Sequence, residues 1–159
     1  MAKTNRPVTR AALGIPETAP LLLSVGRFTA QKDHRTLIRA VRRLNGVRLI
    51  LAGDGPERGA CEGAAAGAPG IAFLGQRADI GDLMAAADLL VLSSRFEGLP
   101  LVLLEAMALG LPVVSTRIDS AVEALGPGCP WLADPGVEIP EAAAAVHGVT
   151  TERARAEGR

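Results

Sequence analysis

The chain has 159 residues, with 17 basic and 17 acidic side chains and therefore no formal net charge. Its composition, 48% hydrophobic and 21% charged, is that of one globular domain and excludes a disordered chain. The balanced charge argues against a nucleic-acid partner, and no apolar run reaches the roughly 18 residues of a membrane span. We therefore expect a cytoplasmic protein that forms a single domain over residues 1–159 and has no transmembrane segment, with peripheral membrane association left open.

Six short apolar runs, rich in Val, Ile or Leu, predict strands that are buried on both faces of a parallel sheet. They are residues 21–26, 47–53, 71–74, 88–92, 112–115 and 131–132. The stretches between them are long enough for crossover helices. The alternation predicts an α/β fold, a single Rossmann-like doubly wound parallel sheet, with its core at about residues 18–135.

The helices are predicted from apolar spacing and from glycine. Residues 33–44 place apolar side chains on one face, with Asp33 as the N-cap, and residues 79–87 and 120–125 suggest further helices. The helix expected within residues 57–70 carries Gly59, Gly63 and Gly67, which each cost about 1 kcal/mol inside a helix, so a short or frayed helix is expected there. In the tail, 136–159, we expect a helix at 141–146 and fraying from residue 150.

Residues 93–110 predict a helix with a carboxylate inside it. Pro100 fits the first helical position, and Gly110 fits the position just past the end. The helix is apolar nearly all round, so we expect it to be buried together with Glu105. A buried carboxylate needs hydrogen-bond donors. Two sources stay open: a structural partner such as an arginine, or the hydroxyls of a ligand outside the end of the preceding strand.

The start of this helix is also a candidate anion site. Free N–H groups near Gly98, Leu99, Leu101 and Val102, together with the helix dipole, favour a phosphate. Glu97 stands just before the helix, where a carboxylate that stabilises the dipole is the plain alternative.

A second candidate follows the first predicted strand, where Arg27 and Lys32 would face the same crevice. A pyrophosphate held by both cations is one interpretation, and two solvated loop cations are the other.

Three further patterns favour structural explanations. Residues 53–59 resemble a dinucleotide fingerprint, but they follow the second strand and contain Pro56, so NAD binding is disfavoured. His34 is expected to be a partly exposed residue at a helix N-terminus. Neither Cys61 nor Cys129 has a partner pattern, so no metal site and no disulfide are expected.

Taken together, residues 21–44, 49–58 and 71–116 strongly resemble the C-terminal nucleotide-sugar domain of retaining glycosyltransferases of family 4, which have the GT-B fold. The signature is Gly26-Arg27, Lys32, and Glu97 and Glu105 separated by seven residues. The resemblance covers about residues 10–135. It implies one half of a GT-B fold and a nucleoside-diphosphate sugar as donor, with a UDP-sugar favoured.

The resemblance also implies roles for the phosphate-binding residues. Arg27 and Lys32 would hold the diphosphate of the donor, together with the amides of Leu101 and Val102 at the helix N-terminus. Fixed cations and amides at this place would stabilise the charge of the leaving group without a metal or cofactor.

The remaining roles concern the sugar and the nucleoside. Glu97 would contact the donor sugar near the reacting centre, and Glu105 would accept hydrogen bonds from the ribose hydroxyls. Backbone around Gln76 and Arg77 would meet the base.

The sequence departs from the family pattern in three places. By the resemblance we expect the N-terminal acceptor domain and the usual final helices to be missing, and residues 118–120 stand where a Gly-Gly pair is common. We therefore expect the donor half alone, active only with a separate acceptor-domain chain. The alternative is a truncated remnant that folds, binds nucleotide at most, and has no transferase activity.

Overall fold

The computed structural model describes residues 5–133. The strands of this part are β1 (Leu21–Val25), β2 (Arg48–Ala52), β3 (Ile71–Gly75), β4 (Leu89–Leu92), β5 (Val113–Thr116) and β6 (Leu132–Ala133). Its helices are α1 (Arg6–Ala12), α2 (His34–Val41), α3 (Arg58–Ala65), α4 (Ile80–Ala86), α5 (Leu101–Ala108) and α6 (Asp119–Leu125). The tail helix predicted at 141–146 and the fraying predicted from residue 150 lie outside the described residues.

All six strands form one parallel sheet in the order β3-β2-β1-β4-β5-β6. The chain therefore builds the sheet outward from β1 to one side, crosses back, and continues from β4 to the other side. This order confirms the predicted doubly wound sheet and places its topological switch point between β1 and β4.

Helices cover both faces of the sheet. Helices α2 and α3 bury Leu37, Ile38 and Cys61 against one face. Helices α4 and α5 bury Leu83 and Leu103 against the other. Helix α3 is short and ends before Gly67, as its glycine content predicts.

Helix α2 has Asp33 at its N-cap position, as predicted, but it ends at Val41 and not at residue 44, and the Asp33 side chain does not cap it. The backbone of Asp33 is left-handed, with φ of 47°, and its carboxylate makes no cap hydrogen bond to the helix backbone. Asp33 Oδ2 instead accepts hydrogen bonds from Thr36 Oγ1 at 2.9 Å and from Arg95 Nε at 3.2 Å. The side chain therefore links the helix start to the segment that follows β4.

Helix α1 was not predicted, because its seven residues carry no apolar stripe. It is held by Arg10, which is fully buried and donates to Asp88 Oδ2 at 2.8 Å and to the carbonyl oxygen of Ala86 at 2.9 Å. Asp88 also accepts hydrogen bonds from Arg6 at 2.7 Å and from the amide of Leu21 at 2.8 Å. This cluster ties the N-terminal segment to the start of β1 and the end of α4.

The prediction that α5 and Glu105 are buried is wrong. Only Leu103 and Ala106 of this helix are buried, and Glu105 is exposed. A helix that lies on one face of a sheet covers it with one stripe, so apolar residues at the other positions stay at the surface. Leu101 is 61% exposed and Met107 is 42% exposed.

Candidate functional site

The carboxyl ends of β1 and β4 lie side by side at the switch point. The segments that leave them, residues 26–33 and 93–100, lead to helices on opposite faces of the sheet. We call them the switch-point loops. A crevice between two such loops is where open α/β sheets bind ligands.

Hydrogen bonds join the two switch-point loops directly. Ser93 Oγ donates to the carbonyl oxygen of Lys32 at 2.8 Å, and the amide of Arg95 donates to the carbonyl oxygen of Gln31 at 2.8 Å. In return, Gln31 Nε2 donates to the carbonyl oxygen of Phe96 at 2.9 Å. These bonds fix the backbone on both sides of the crevice.

Lys32 and Glu97 form an ion pair across the crevice, between Nζ and Oε1. Their side chains are only 20% and 8% exposed. Glu97 Oε1 also accepts a hydrogen bond from Ser94 Oγ at 2.6 Å. The sequence predicts both charged residues for the site, and the structure brings them into direct contact. Arg27, the other predicted cation, is exposed at the end of β1.

Two small residues shape the floor of the site. A Cβ atom on Gly26 would lie 3.4 Å from Lys32 Cε, so the stem of the lysine lies along Gly26. A Cβ atom on Gly53 would lie 2.0 Å from the carbonyl oxygen of Gly26. Gly53 therefore allows the loops that follow β1 and β2 to pack closely.

The start of α5 opens onto the same edge of the sheet. Gly98 and Leu99 are exposed, and Pro100 occupies the N-cap position rather than the predicted first turn. The amide of Leu101 donates to the carbonyl oxygen of Leu99 at 3.0 Å. The amide of Val102, at the second position of the helix, has no carbonyl within an α-helix to bind.

The residues predicted to contact the nucleoside of the donor lie farther from the switch point. Glu105 lies on the exposed surface of α5, and Gln76 and Arg77 are exposed after β3, two strands or about 10 Å from β1. The guanidinium of Arg77 binds the carboxylate of Asp79 through two hydrogen bonds, of 2.7 and 2.6 Å. These bonds lower the pKa of Asp79.

Buried hydroxyls are the part of the site that the sequence did not reveal. Ser93 and Ser94 follow β4 directly and are 3% and 0% exposed. Thr116 Oγ1, at the end of β5, donates to the carbonyl oxygen of Ser94. The available signal was a pair of serines at the end of an apolar run, since polar residues there point into the switch-point crevice.

His34 is buried, contrary to the expectation of partial exposure. Its ring packs on Phe28 with centroids 4.6 Å apart, and it is only 4% exposed. Burial, and next the ammonium of Lys32, lower the pKa of His34 to about 4. The imidazole is therefore neutral at pH 7.

Residues 5–133 contain neither a metal-binding cluster nor a membrane-spanning helix. No three His, Cys, Asp or Glu side chains in this range stand close enough to hold a metal ion. Likewise, no helix within it has the length and apolar content to cross a membrane.

The chain is similar to glycosyltransferases in sequence. The family described as glycosyl transferases group 1 matches residues 19–151. The lipopolysaccharide core biosynthesis glycosyltransferase LpsE of Rhizobium meliloti is 47% identical over 115 residues, which are 70% of this chain and 34% of that protein. The D-inositol 3-phosphate glycosyltransferase of Mycobacterium marinum is 33% identical over 97% of this chain and 35% of that protein.

Solved structures give the same result. HepE of Anabaena, crystallised in complex with UDP-glucose, matches with a TM-score of 0.81 and 28% identity over 94% of this chain and 44% of its own. WaaG, a glycosyltransferase involved in lipopolysaccharide biosynthesis, matches with a TM-score of 0.79 and 30% identity over 90% of this chain and 42% of its own.

The chain thus spans about a third of the length of these curated relatives and less than half of the solved chains. Its sheet matches the GT-B glycosyltransferase structures in fold. With the family match extending over most of the sequence, the chain belongs to the glycosyl transferases group 1 family.

Proposed function

We propose that the chain is the donor-binding half of a family 4 glycosyltransferase that transfers a sugar from a nucleoside-diphosphate sugar with retention of configuration. The observation that carries this proposal is the contact of Lys32 with Glu97 at the switch point, beside the start of α5. A cation for a diphosphate and a carboxylate for sugar hydroxyls stand side by side there. HepE, whose structure contains UDP-glucose, makes a UDP-sugar the favoured donor.

In this proposal the diphosphate lies between the two switch-point loops. Lys32 and Arg27 bind its oxygens, and the amides of Leu101 and Val102 donate to it at the positive end of the α5 dipole. Leu101 exchanges the carbonyl oxygen of Leu99 for a phosphate oxygen. Cations and amides fixed in this way stabilise the charge that develops on the leaving nucleotide, and we propose that no metal or cofactor takes part.

The carboxylates and the end of β3 bind the rest of the donor. Glu97 accepts hydrogen bonds from the sugar, and Glu105 accepts them from the ribose. Because Glu105 is exposed, it can reach a ribose without the free-energy cost of prior burial. The backbone at Gln76 and Arg77 meets the base.

We propose further that the acceptor is bound by another part of the enzyme, either a further segment or a separate chain. The relatives are about three times as long as the matched region, which leaves room for such a part. The cytoplasmic location expected from the sequence stays a prediction.

Calorimetric titration with UDP, GDP, ADP and NAD tests the binding proposal. We expect a nucleoside diphosphate, with UDP favoured, to bind and NAD not to bind. Lys32→Ala should weaken binding about tenfold, because it removes a charge-assisted hydrogen bond. Arg39→Ala, an exposed cation farther along α2, is the matched control and should leave the affinity unchanged. If the wild-type chain binds none of the nucleoside diphosphates, the proposal is wrong.

The second candidate function is nucleotide binding without transfer, for which the charged groups at the switch point are sufficient. The two candidates share the donor site and differ in turnover. Incubation with a radiolabelled UDP-sugar, an acceptor-domain chain and a lipopolysaccharide core, chosen after the names of LpsE and WaaG, distinguishes them. Labelled lipopolysaccharide indicates a transferase half, and its absence despite tight UDP binding indicates a binding protein.

A further inference from the structure

Two hydrogen bonds from side-chain hydroxyls connect the end of β5 to the candidate sugar-binding carboxylate. Thr116 Oγ1 donates to the carbonyl oxygen of Ser94, and Ser94 Oγ donates to Glu97 Oε1 at 2.6 Å. Ser94 is fully buried.

The two carboxylate oxygens of Glu97 have different surroundings. Lys32 Nζ and Ser94 Oγ both reach Oε1. Within residues 5–133, no hydrogen bond to Oε2 is found, and this oxygen is not sealed from solvent. The protein therefore holds one oxygen and leaves the other to accept a hydrogen bond from a ligand.

The two donors to Oε1 also differ in what happens when a diphosphate arrives. Lys32 is a cation on a flexible stem and is attracted to the phosphate oxygens. Ser94 is fully buried, and its backbone carbonyl is held by Thr116, so it cannot follow the ligand. Once Lys32 turns to the phosphate, the orientation of Glu97 depends on Ser94.

We propose that Ser94 is a positioning residue for the donor sugar: it holds Glu97 Oε1 so that Oε2 accepts a hydrogen bond from a sugar hydroxyl, and Thr116 holds Ser94 in turn. This inference rests on the proposed function, because it assumes a nucleotide-sugar at the switch point. It adds a residue that acts through Glu97 and does not touch the nucleotide.

The test compares the affinities for a nucleotide and for its sugar conjugate in one protein. The readout is the dissociation constant of UDP divided by that of the tightest among UDP-glucose, UDP-galactose and UDP-N-acetylglucosamine, measured by calorimetry. General effects of a substitution on folding or on nucleotide affinity cancel in this ratio. We expect Ser94→Ala to lower the ratio about tenfold, because a hydrogen bond to a charged group is lost. If the wild-type ratio is below about ten, the ratio of the variant should fall to one, which means no preference for the sugar.

A double-mutant cycle separates positioning from a structural role. If Ser94 acts through Glu97, Ser94→Ala in a Glu97→Gln background should leave the ratio where Glu97→Gln alone puts it. Ser115→Ala is the matched control: this serine is equally buried, one residue before Thr116, and its hydroxyl donates to a main-chain carbonyl at 2.9 Å. It should keep the wild-type ratio.

Three outcomes with the variants overturn the inference. One is a Ser94→Ala ratio equal to that of the wild type, and another is equal lowering of the ratio by Ser115→Ala. The third is additivity of Ser94→Ala and Glu97→Gln. A wild type that binds UDP with no preference for any UDP-sugar also overturns it and leaves nucleotide binding intact, whereas a wild type that does not bind UDP refutes the proposed function itself.

Discussion

The contact between Lys32 and Glu97 means that a diphosphate bound as proposed would compete with a carboxylate already in place. Both side chains are largely buried, so their attraction is screened less than that of a surface pair. A phosphate that takes Lys32 must weaken this pair and also approach the negative charge of Glu97. A sugar hydroxyl on Glu97 would offset part of that free-energy cost, which couples recognition of the sugar to recognition of the diphosphate.

Removal of the Glu97 charge should therefore tighten the binding of free UDP. We expect Glu97→Gln to lower the dissociation constant of UDP about threefold to tenfold, because Lys32 is released and a repulsion disappears. Calorimetry at low ionic strength measures the effect. Glu62→Gln, which removes a carboxylate paired with Arg58 on α3, is the control and should change nothing. Weaker UDP binding by Glu97→Gln would mean that Glu97 serves to hold Lys32 in its binding position.

The buried His34 should make the stability of the chain depend on pH. Its pKa is about 4 in the folded chain and about 6.5 in the unfolded one, so between these values the unfolded state binds more protons. The contribution of His34 to the free energy of unfolding is then fully present above about pH 6.5. It is lost as the pH falls toward 4, which lowers the free energy of unfolding by about 3 kcal/mol in total.

Urea unfolding at several pH values checks this expectation. The difference between the wild type and His34→Leu isolates the histidine from the carboxylates that titrate in the same range. As the pH falls from 6.5 to 4, the free energy of unfolding of the wild type should decrease relative to that of His34→Leu. Parallel curves for the two proteins would show that His34 is not held neutral by the fold.

Individual residues could be named from the sequence, but their environments could not. Lys32 and Glu97 were predicted for the site from residue type and position, and they do lie together. Their direct pairing depends on how two loops meet, 65 residues apart in sequence, and no local pattern encodes this. The predicted burial of Glu105 was wrong for a related reason: apolar neighbours in sequence do not tell which side of the helix meets the sheet.

At the scale of elements, two glycines of the second βα unit have opposite effects on stability. Gly53 has φ of 143°, and a Cβ atom there would meet the backbone of Gly26. Gly59 lies in α3 with nothing within 4 Å of an added Cβ. One glycine allows two loops to pack, and the other only weakens a helix.

The paired substitutions should therefore change stability in opposite directions. We expect Gly53→Ala to lower the free energy of unfolding by about 3 kcal/mol, because the backbone oxygen it meets cannot move freely. Gly59→Ala should raise it by about 0.5–1 kcal/mol through helix propensity. Chemical unfolding measures both. A neutral Gly53→Ala would show that the loops of β1 and β2 separate easily.

The arginines of α1 give a second prediction for an element. Arg10→Met should lower the free energy of unfolding by about 3 kcal/mol, because it leaves the Asp88 carboxylate and several buried carbonyl oxygens short of donors. Arg6→Met, at a side chain that is 22% exposed, is the matched control, with an expected loss of about 1 kcal/mol. Equal effects of the two variants would contradict the special importance of the buried guanidinium.

Element prediction succeeded where the signal was local. The six strands lie within about a residue of the predicted runs, because continuous apolar runs between glycines and prolines define buried strands well. Helix α1 was missed because it depends on Arg10 and Asp88, which are 78 residues apart. The burial of a helix likewise depends on what lies beside it, which explains the error at α5.

For the molecule as a whole, the alternation of strands and helices was enough to predict the doubly wound sheet, since parallel strands joined by right-handed crossovers leave few arrangements. The same topology explains why segments after β1 and after β4 meet at one crevice. Function did not follow from topology alone, because this sheet occurs in proteins with many activities. The proposed function rests on the charged residues at the switch point and on the family match.

A ligand that binds across the switch point joins the two halves of the sheet and should stabilise the whole domain. At a UDP concentration of about 100 times its dissociation constant, the expected gain is about 2.7 kcal/mol, which for a chain of this size corresponds to a rise in melting temperature of about 5–10 °C. Differential scanning calorimetry at increasing UDP concentration measures it. Lys32→Ala should need about tenfold more UDP for the same rise, while Arg39→Ala should follow the wild type. If saturating UDP leaves the melting temperature unchanged, it does not bind the folded domain preferentially, and the switch-point crevice is not a nucleotide site.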